Sequence, residues 1–360
     1  MEAATLPARP AVRGDRVKAF VGTYGLILLL LALPVYFGIY DLVHDGNLTR
    51  LGNNLVAGIS NGAIWALVAI GYTLVYGIVE LINFAHGEVF MIGSFTAATL
   101  FGTLGLTEGM NAIPLILGLL VCLLLCMLAS GMLNTMIERV GYRPLRSAPK
   151  LAPLITAVGF SFILQNVGLL WRGGSPEGIA DLINSQHELF NIFGLSISNG
   201  DLLSVAVTIP LLLLMTAFIG RSRLGKAMRA TAQDPEAARL MGINVDTTIS
   251  LTFLLGGMLA GAAGLIYALY QTTIWYFQGF TAGLIAFTAA VMGGIGNLKG
   301  AVLGGFIIGI IQQISDNRDQ LFGFFPLGSA WTPAVVFFYL ILIMVFKPSG
   351  LLGEQTREAG

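Results

Sequence analysis

The chain has 360 residues, of which 11% are charged, with a mean hydropathy of +0.81 and a formal net charge of zero. Soluble domains carry about 25% charged residues, so a soluble catalytic domain is excluded. The even balance of charge gives no electrostatic basis for a nucleic-acid partner. The charges cluster and leave uncharged runs near the ~20 residues that cross a bilayer. The composition therefore points to an all-α polytopic membrane protein with one domain, and its 46 glycines suit close helix crossings.

Residues 1–18 are basic and form a tail without expected structure. Span 1, Phe20–Tyr40, exceeds the 7–15-residue core of a signal peptide, so it reads as an uncleaved span. Span 2 is Leu55–Val79, span 3 Val89–Leu106 and span 4 Ile113–Ile137. A basic loop follows, with Arg139, Arg143, Arg146 and Lys150. Span 5 is Leu151–Leu170. A longer polar segment, Trp171 to Gly200, leads to span 6, Leu202–Ile219. A charged island, Arg221 to Asn244, precedes span 7, Thr248–Tyr270. Two short apolar pieces, Ala282–Met292 and Ala301–Ile314, flank a glycine break at Gly293-Gly294-Ile295-Gly296, and Trp331–Phe346 closes the set. These make about ten transmembrane helices, or eight if the short pair is a re-entrant hairpin.

With the N-terminus in the cytoplasm, sixteen Lys and Arg fall inside, against Arg50, Arg172 and Arg318 outside. Positive charge resists translocation, so both termini are expected inside. The tail 1–18 then precedes a transmembrane domain, 19–347, with a cytoplasmic loop at 221–247 and a C-terminal tail at 348–360. Glycines and alanines four apart, such as Gly257 and Gly261 or Gly305 and Gly309, are expected to pack helices within the protomer.

Little of the sequence suits catalysis. Gly293 to Gly300 is glycine-rich, but Lys299 is followed by Gly300 and not Ser or Thr, so it is no Walker phosphate loop. Cys122 and Cys126 are two soft ligands alone, a poor metal site. No paired carboxylates and no His-x-x-x-His lie within a span, so no enzyme, metal or cofactor is expected. His44, His86 and His187 are placed in loops or at span ends, and no span carries a mid-bilayer ionisable residue of the kind that couples ion-driven carriers. Glu80 and Glu88 are placed at span ends.

The island is the main candidate for function. Asp234 and Pro235 suit an N-cap and first helical position. Glu236, Ala237, Ala238, Arg239 and Leu240 favour helix, and Gly242 ends it. Leu240 and Met241 are apolar in an aqueous loop. Such a helix fits a groove on a partner, or lies on anionic lipid beside Arg221–Arg229. The residues leave both readings open.

Glu236-Ala237-Ala238 followed by Gly242 matches the EAA-x-x-x-G loop of ABC importer permeases. Three longer blocks, Asn61 to Phe95, Gly225 to Gly264 and Ala286 to Gly309, with the tail Lys347 to Gly353 (KPSGLLG), resemble the LivH-type permease of branched-chain amino acid ABC importers. The resemblance covers residues 50–353. It implies that Asp234–Gly242 couples to two ATP-binding subunits. It also implies a second homologous permease subunit, an extracytoplasmic solute-binding protein and a place in the bacterial inner membrane. The solute would be a branched-chain or similar amino acid. A stand-alone facilitator for a small neutral solute such as urea is the alternative.

Two further sets of residues are candidates. Asn83, His86, Gly87 and Glu88 lie in a turn expected at the cytoplasmic ends of spans 2 and 3, with Asn83 capping span 3. They are read as gate or ATPase contact. Asn61, Thr156, Gln165 and Asn166 are polar within spans, where such groups face protein or water, and are candidates to line the solute path.

Overall fold

A computed structural model describes residues 13–146, 148–149 and 151–353. Twelve helices follow in chain order among them: α1 (Arg13–His44), α2 (Thr49–Val79), α3 (His86–Thr103), α4 (Ala112–Ile137), α5 (Leu151–Arg172), α6 (Asn199–Arg221), α7 (Arg223–Gln233), α8 (Pro235–Leu240), α9 (Val245–Gln271), α10 (Gln278–Gly293), α11 (Leu298–Asp316) and α12 (Thr332–Phe346). Seven of these, α1, α2, α4, α5, α6, α9 and α11, are long and apolar enough to cross a bilayer. The apolar α10 and α12 have only 16 and 15 residues. Part of the expected N-terminal tail, from Arg13 on, is already helical; residues 1–12, Lys150 and the tail beyond Gly353 lie outside the described residues.

The core is built on two helices. Within their apolar windows, 83% of α2 and 78% of α9 are buried inside the chain, against 11% of α4. A helix apolar all round must be covered all round, and α2 is covered by α11, α9, α10 and α6. Lipid tails are as apolar as Leu, so packing contact and hydrogen bonds hold such helices together. That requires close approach, which the glycines supply. A Cβ on Gly62 would fall 2.7 Å from Phe306 Cα, and one on Gly309 would fall 2.3 Å from Gly62 Cα. The seam is pinned by Asn61 Nδ2 donating to Gln313 Oε1 (2.7 Å) and Trp65 Nε1 donating to Gln312 Oε1 (2.6 Å). On the other side of the core, Gly257 and Gly261 of α9 lie against Ser130 and Cys126 of α4. The expected use of these small residues inside the protomer is what the structure shows.

The glycine break between α10 and α11 is where the chain's end docks. Leu351 N donates to Met292 O (2.8 Å), Leu352 N to Gly293 O (2.9 Å), and Asn297 Nδ2 to Leu352 O (2.7 Å). A Cβ on Gly294 would meet Gly353 N at 2.4 Å, and Gly294 has φ +105°. The motif GGIGN and the tail KPSGLLG are therefore two halves of one contact.

At the opposite end the long polar segment is not a plain loop. Strand β1 (Glu177–Gly178) pairs with β4 (Thr273–Ile274), while β2 (Glu188–Ile192) and β3 (Leu195–Ser198) form a hairpin. A third ribbon joins β5 (Gln320–Leu321) to β6 (Phe325–Pro326). At this end α1 is clamped by Arg318, which bonds buried Asp41 at 2.6 Å and lies 4.7 Å over the Phe37 ring.

The seam makes a direct prediction. Gly309→Leu drives side-chain atoms into the α2 backbone and should lower the thermal midpoint in detergent by several degrees, since overpacking costs roughly 1–3 kcal/mol or more. Gly102→Leu, on a helix end with nothing within 4 Å, should leave the midpoint unchanged in the same assay.

Candidate functional site

The charged island folds as two helices, each with its own cap. Ser222 caps α7, its Oγ accepting from Gly225 N at 2.9 Å. Asp234 caps α8, its Oδ1 accepting from Glu236 N (2.9 Å) and Ala237 N (3.0 Å), with Pro235 in the first turn. At the far end Ile243 N donates to Ala238 O and Gly242 N to Arg239 O, both at 3.0 Å, with Gly242 at φ +83°. This pair of bonds is a Schellman stop. Ala238 faces inward at 4% exposure, while Leu240 and Met241 are 89% and 82% exposed. Glu236 and Arg239 are exposed as well. A six-residue helix has little stability of its own. The caps and the seated Ala238 hold it, and they fix two apolar side chains in the open.

The chain then enters α9 through Asn244, whose Oδ1 accepts from Thr247 N at 3.0 Å. Two residues on, Asp246 takes Arg146 at 2.5 Å and Arg143 at 2.9 Å. Both arginines sit in the tight turn that follows α4, after a π-helical stretch at Glu138–Tyr142. Arg146 also bonds Glu138, which is fully buried and accepts from Ser250 Oγ of α9 at 2.6 Å. The start of α9, and with it the end of α8, is thus bolted to the end of α4.

One helical turn before Glu138 lies Asn134, and it leads to the second candidate set. Asn134 Nδ2 donates to Phe253 O (2.7 Å) and its Oδ1 accepts from Asn83 Nδ2 (3.0 Å). Tyr142 donates to Asn83 Oδ1 at 3.2 Å. Asn83 does not cap α3 as expected. Ala85 holds that position, and Asn83 Oδ1 takes the Ala85 N–H instead (3.2 Å).

The turn expected at the ends of spans 2 and 3 lies inside the bundle. Asn83, Ala85, His86 and Glu88 are all buried. His86 Nε2 would lie 2.4 Å from a Cβ on Gly71, eight residues inside the end of α2. Gly87 packs on Gly283, ten residues inside the end of α10. At 1.5 Å per residue both place the start of α3 about 12–15 Å within the bundle. After Glu80, at φ 52°, the chain turns back and descends before α3 begins.

The descent also overturns the expectation that no span holds a mid-membrane ionisable residue. Glu88 Oε1 accepts from Ser161 Oγ at 3.1 Å. Ser161 is ten residues from Leu151 and eleven from Arg172, the midpoint of α5.

The four path candidates are not brought together. Asn61 is buried on the α2–α11 seam and lines a cavity of about 500 Å³ with Gln313, Asp201, Tyr270 and Asp316. Thr156, Gln165 and Asn166 lie on α5, which packs on α3, α10 and the π-helical turn. Thr156 bonds back to Ala152 O (2.9 Å), and exposed Asn166 bonds back to Phe162 O (2.8 Å).

A family model described as the permease component of branched-chain amino acid transport systems matches residues 54–345. The chain belongs to this family. The permease protein BraD of the high-affinity branched-chain amino acid transport system of Pseudomonas aeruginosa is 40% identical over 313 residues, covering 84% of this chain and 96% of that protein. LivH of Salmonella typhimurium, a permease protein of a system with the same description, is 38% identical over 303 residues, covering 84% and 95%. LivM, a permease protein of that system in the same organism, is 24% identical over 376 residues, covering 97% and 78%.

Membership makes the chain a transmembrane permease subunit of the ABC-importer type, a transport component and not an enzyme. Within this permease the residues that tie the site together, Asn134, Glu138, Tyr142, Arg146, Ser161 and Ser250, were not candidates from sequence. Asn134 and Ser161 carry the one signal that points to them, a polar side chain within an apolar span.

Glu138 gives a test of the bolt. Removing one partner of a buried ion pair costs about 3–5 kcal/mol, so Arg146→Met should lower the thermal midpoint clearly. Arg143→Met breaks only a pair whose side chains are 47% and 41% exposed; it should shift the midpoint far less, since such pairs contribute about 0–1 kcal/mol.

Proposed function

We propose that this permease imports branched-chain or similar amino acids, with Asp234–Gly242 as the helix that couples it to ATP hydrolysis on two partner subunits. The observation that carries the reading is α8 itself. Leu240 and Met241 stand exposed on a helix capped at both ends and anchored by Ala238. A helix resting on lipid would not need such a fixed presentation. An apolar pair held rigidly suits insertion into a protein groove. Asp234, Glu236 and Arg239 would rim that contact.

Orientation follows from charge. Arg143 and Arg146 meet Asp246 at the end of the bundle that carries α7 and α8. Positive charge marks the cytoplasmic side, so this end faces the cytoplasm of the bacterial inner membrane and both termini lie there. Counting α3, α10 and α12 with the seven longer helices gives ten spans; α3 and α10 are short because each begins inside the bundle.

The opposite end then faces the solute-binding protein. It offers the cavity beside Asn61 and Gln313 and the hairpins tipped by fully exposed Phe193 and by Phe322 and Phe324. A second permease completes the route. The chain's similarity to both LivH and LivM, two permease proteins of one organism's system, supports a heterodimer. The outward face of α5, with Gln165 and exposed Asn166 among apolar residues, is the surface we assign to that route, because mid-span amides face protein or water. ATP closes the partner dimer, α8 carries the motion to α9, and access alternates between the two faces.

Leu240→Glu with Met241→Glu leaves the caps intact and should abolish co-purification of the ATP-binding subunits and ATP-dependent uptake in vesicles. Gly242→Asp, which strains the φ +83° stop, should weaken both. Uptake that persists without the ATP-binding subunits would point instead to a facilitator.

A further inference from the structure

We propose that Glu88 is a solute-binding carboxylate at the middle of the membrane, uncovered to the transport route when α5 moves away. The inference rests on the amino-acid importer reading above and adds a residue that recognises the solute's nitrogen head group.

Three observations point the same way. Glu88 is fully buried between α3, α5 and α10, at the level of the α5 midpoint. Its carboxyl is under-served: Oε1 takes one hydrogen bond, from Ser161, and Oε2 has no hydrogen-bond partner among the described residues. Room for Oε2 is kept by a glycine, since a Cβ on Gly279 would fall 2.1 Å from it. Gly279 is the second residue of α10, so the carboxylate also lies against the positive end of a helix.

A carboxyl used only as structural glue would be expected to have its lone pairs filled, because an unfilled buried acceptor costs free energy. Ionisable groups at this depth mark solute and ion pathways. The missing donors are what an amino acid's ammonium group carries, three N–H on one atom. The one bond that Glu88 does make runs to α5, the helix with the most exposed flank beside it: Ile155, Phe162 and Leu170 are 70%, 60% and 87% exposed. Movement of α5 would break the Ser161 bond and open Glu88 toward the face that carries Gln165 and Asn166. Ser161 then holds the acceptor until the solute replaces it.

Glutamine has the same shape and keeps an oxygen for Ser161, so Glu88→Gln separates recognition from packing. The complete importer in vesicles, with ATP and the ATP-binding subunits on one side and leucine-loaded binding protein on the other, is assayed for assembly, ATP hydrolysis and leucine uptake. E88Q should assemble, keep its binding-protein-stimulated ATPase within twofold, and lose uptake by at least tenfold. E88Q uptake within twofold of the original overturns the proposal. So does a parallel loss of ATPase and uptake, or a failure of E88Q to assemble, since either makes the carboxyl structural. Failure of the underlying reading shows elsewhere: the unsubstituted importer would then take up no branched-chain amino acid at all.

Discussion

The structure depends on the approach of α2 to α11 at glycine distance. Helices surrounded by lipid gain nothing from excluding oil from oil, so they adhere through contact and hydrogen bonds. Gly58, Gly62, Gly305 and Gly309 let two backbones meet, and Asn61, Trp65, Gln312 and Gln313 lock their register with side-chain bonds. With α2 pressed on α11 and α9 pressed on α4, the interior has no space for large side chains to slide. Motion is left to the elements outside that block, and α5 is the least covered of those that touch the candidate site.

The polar contacts that matter lie along one edge of the block. From α8 they run through Asn244 and Asp246 to Arg146 and Glu138, then one turn along α4 to Asn134 and across to Asn83. Three residues past Asn83 the chain reaches His86, wedged against Gly71 and Tyr72, and then Glu88. The links between elements are ion pairs and hydrogen bonds, Arg146 to Asp246 and Asn83 to Asn134, and the steps between them run along the chain. The proposed docking helix and the buried carboxyl are therefore attached to the same few side chains, which gives a physical route by which a push on α8 reaches the middle of the membrane.

Much of this was legible in the sequence, and the reasons differ by element. Apolar runs located the helices, although α1 and α2 start seven and six residues before their expected spans, because polar first turns extend beyond the apolar run. The Asp234-Pro235 start and the Gly242 stop of α8 were readable because capping is local chemistry. The descent of Asn83–Glu88 was not. The charged and polar letters of that segment look like any surface turn, and only the glycines opposite, Gly71, Gly279 and Gly283, make room for it inside. Those glycines are distant in sequence, so the cavity they form appears only in three dimensions. Ser161 escaped notice for the same reason: its partner is 73 residues away. The hairpin at Glu188–Ser198 was missed because apolar letters there alternate over too few residues to stand out from a loop.

In the proposed complex α8 presents Leu240 and Met241 to an ATP-binding subunit and not to lipid. A photoreactive amino acid at position 241 of the assembled importer tests this most directly. Irradiation in native membranes should yield an adduct between this chain and an ATP-binding subunit, and the yield should change when a non-hydrolysable ATP analogue closes the partner dimer. Adducts with phospholipid alone, unaffected by nucleotide, would contradict it.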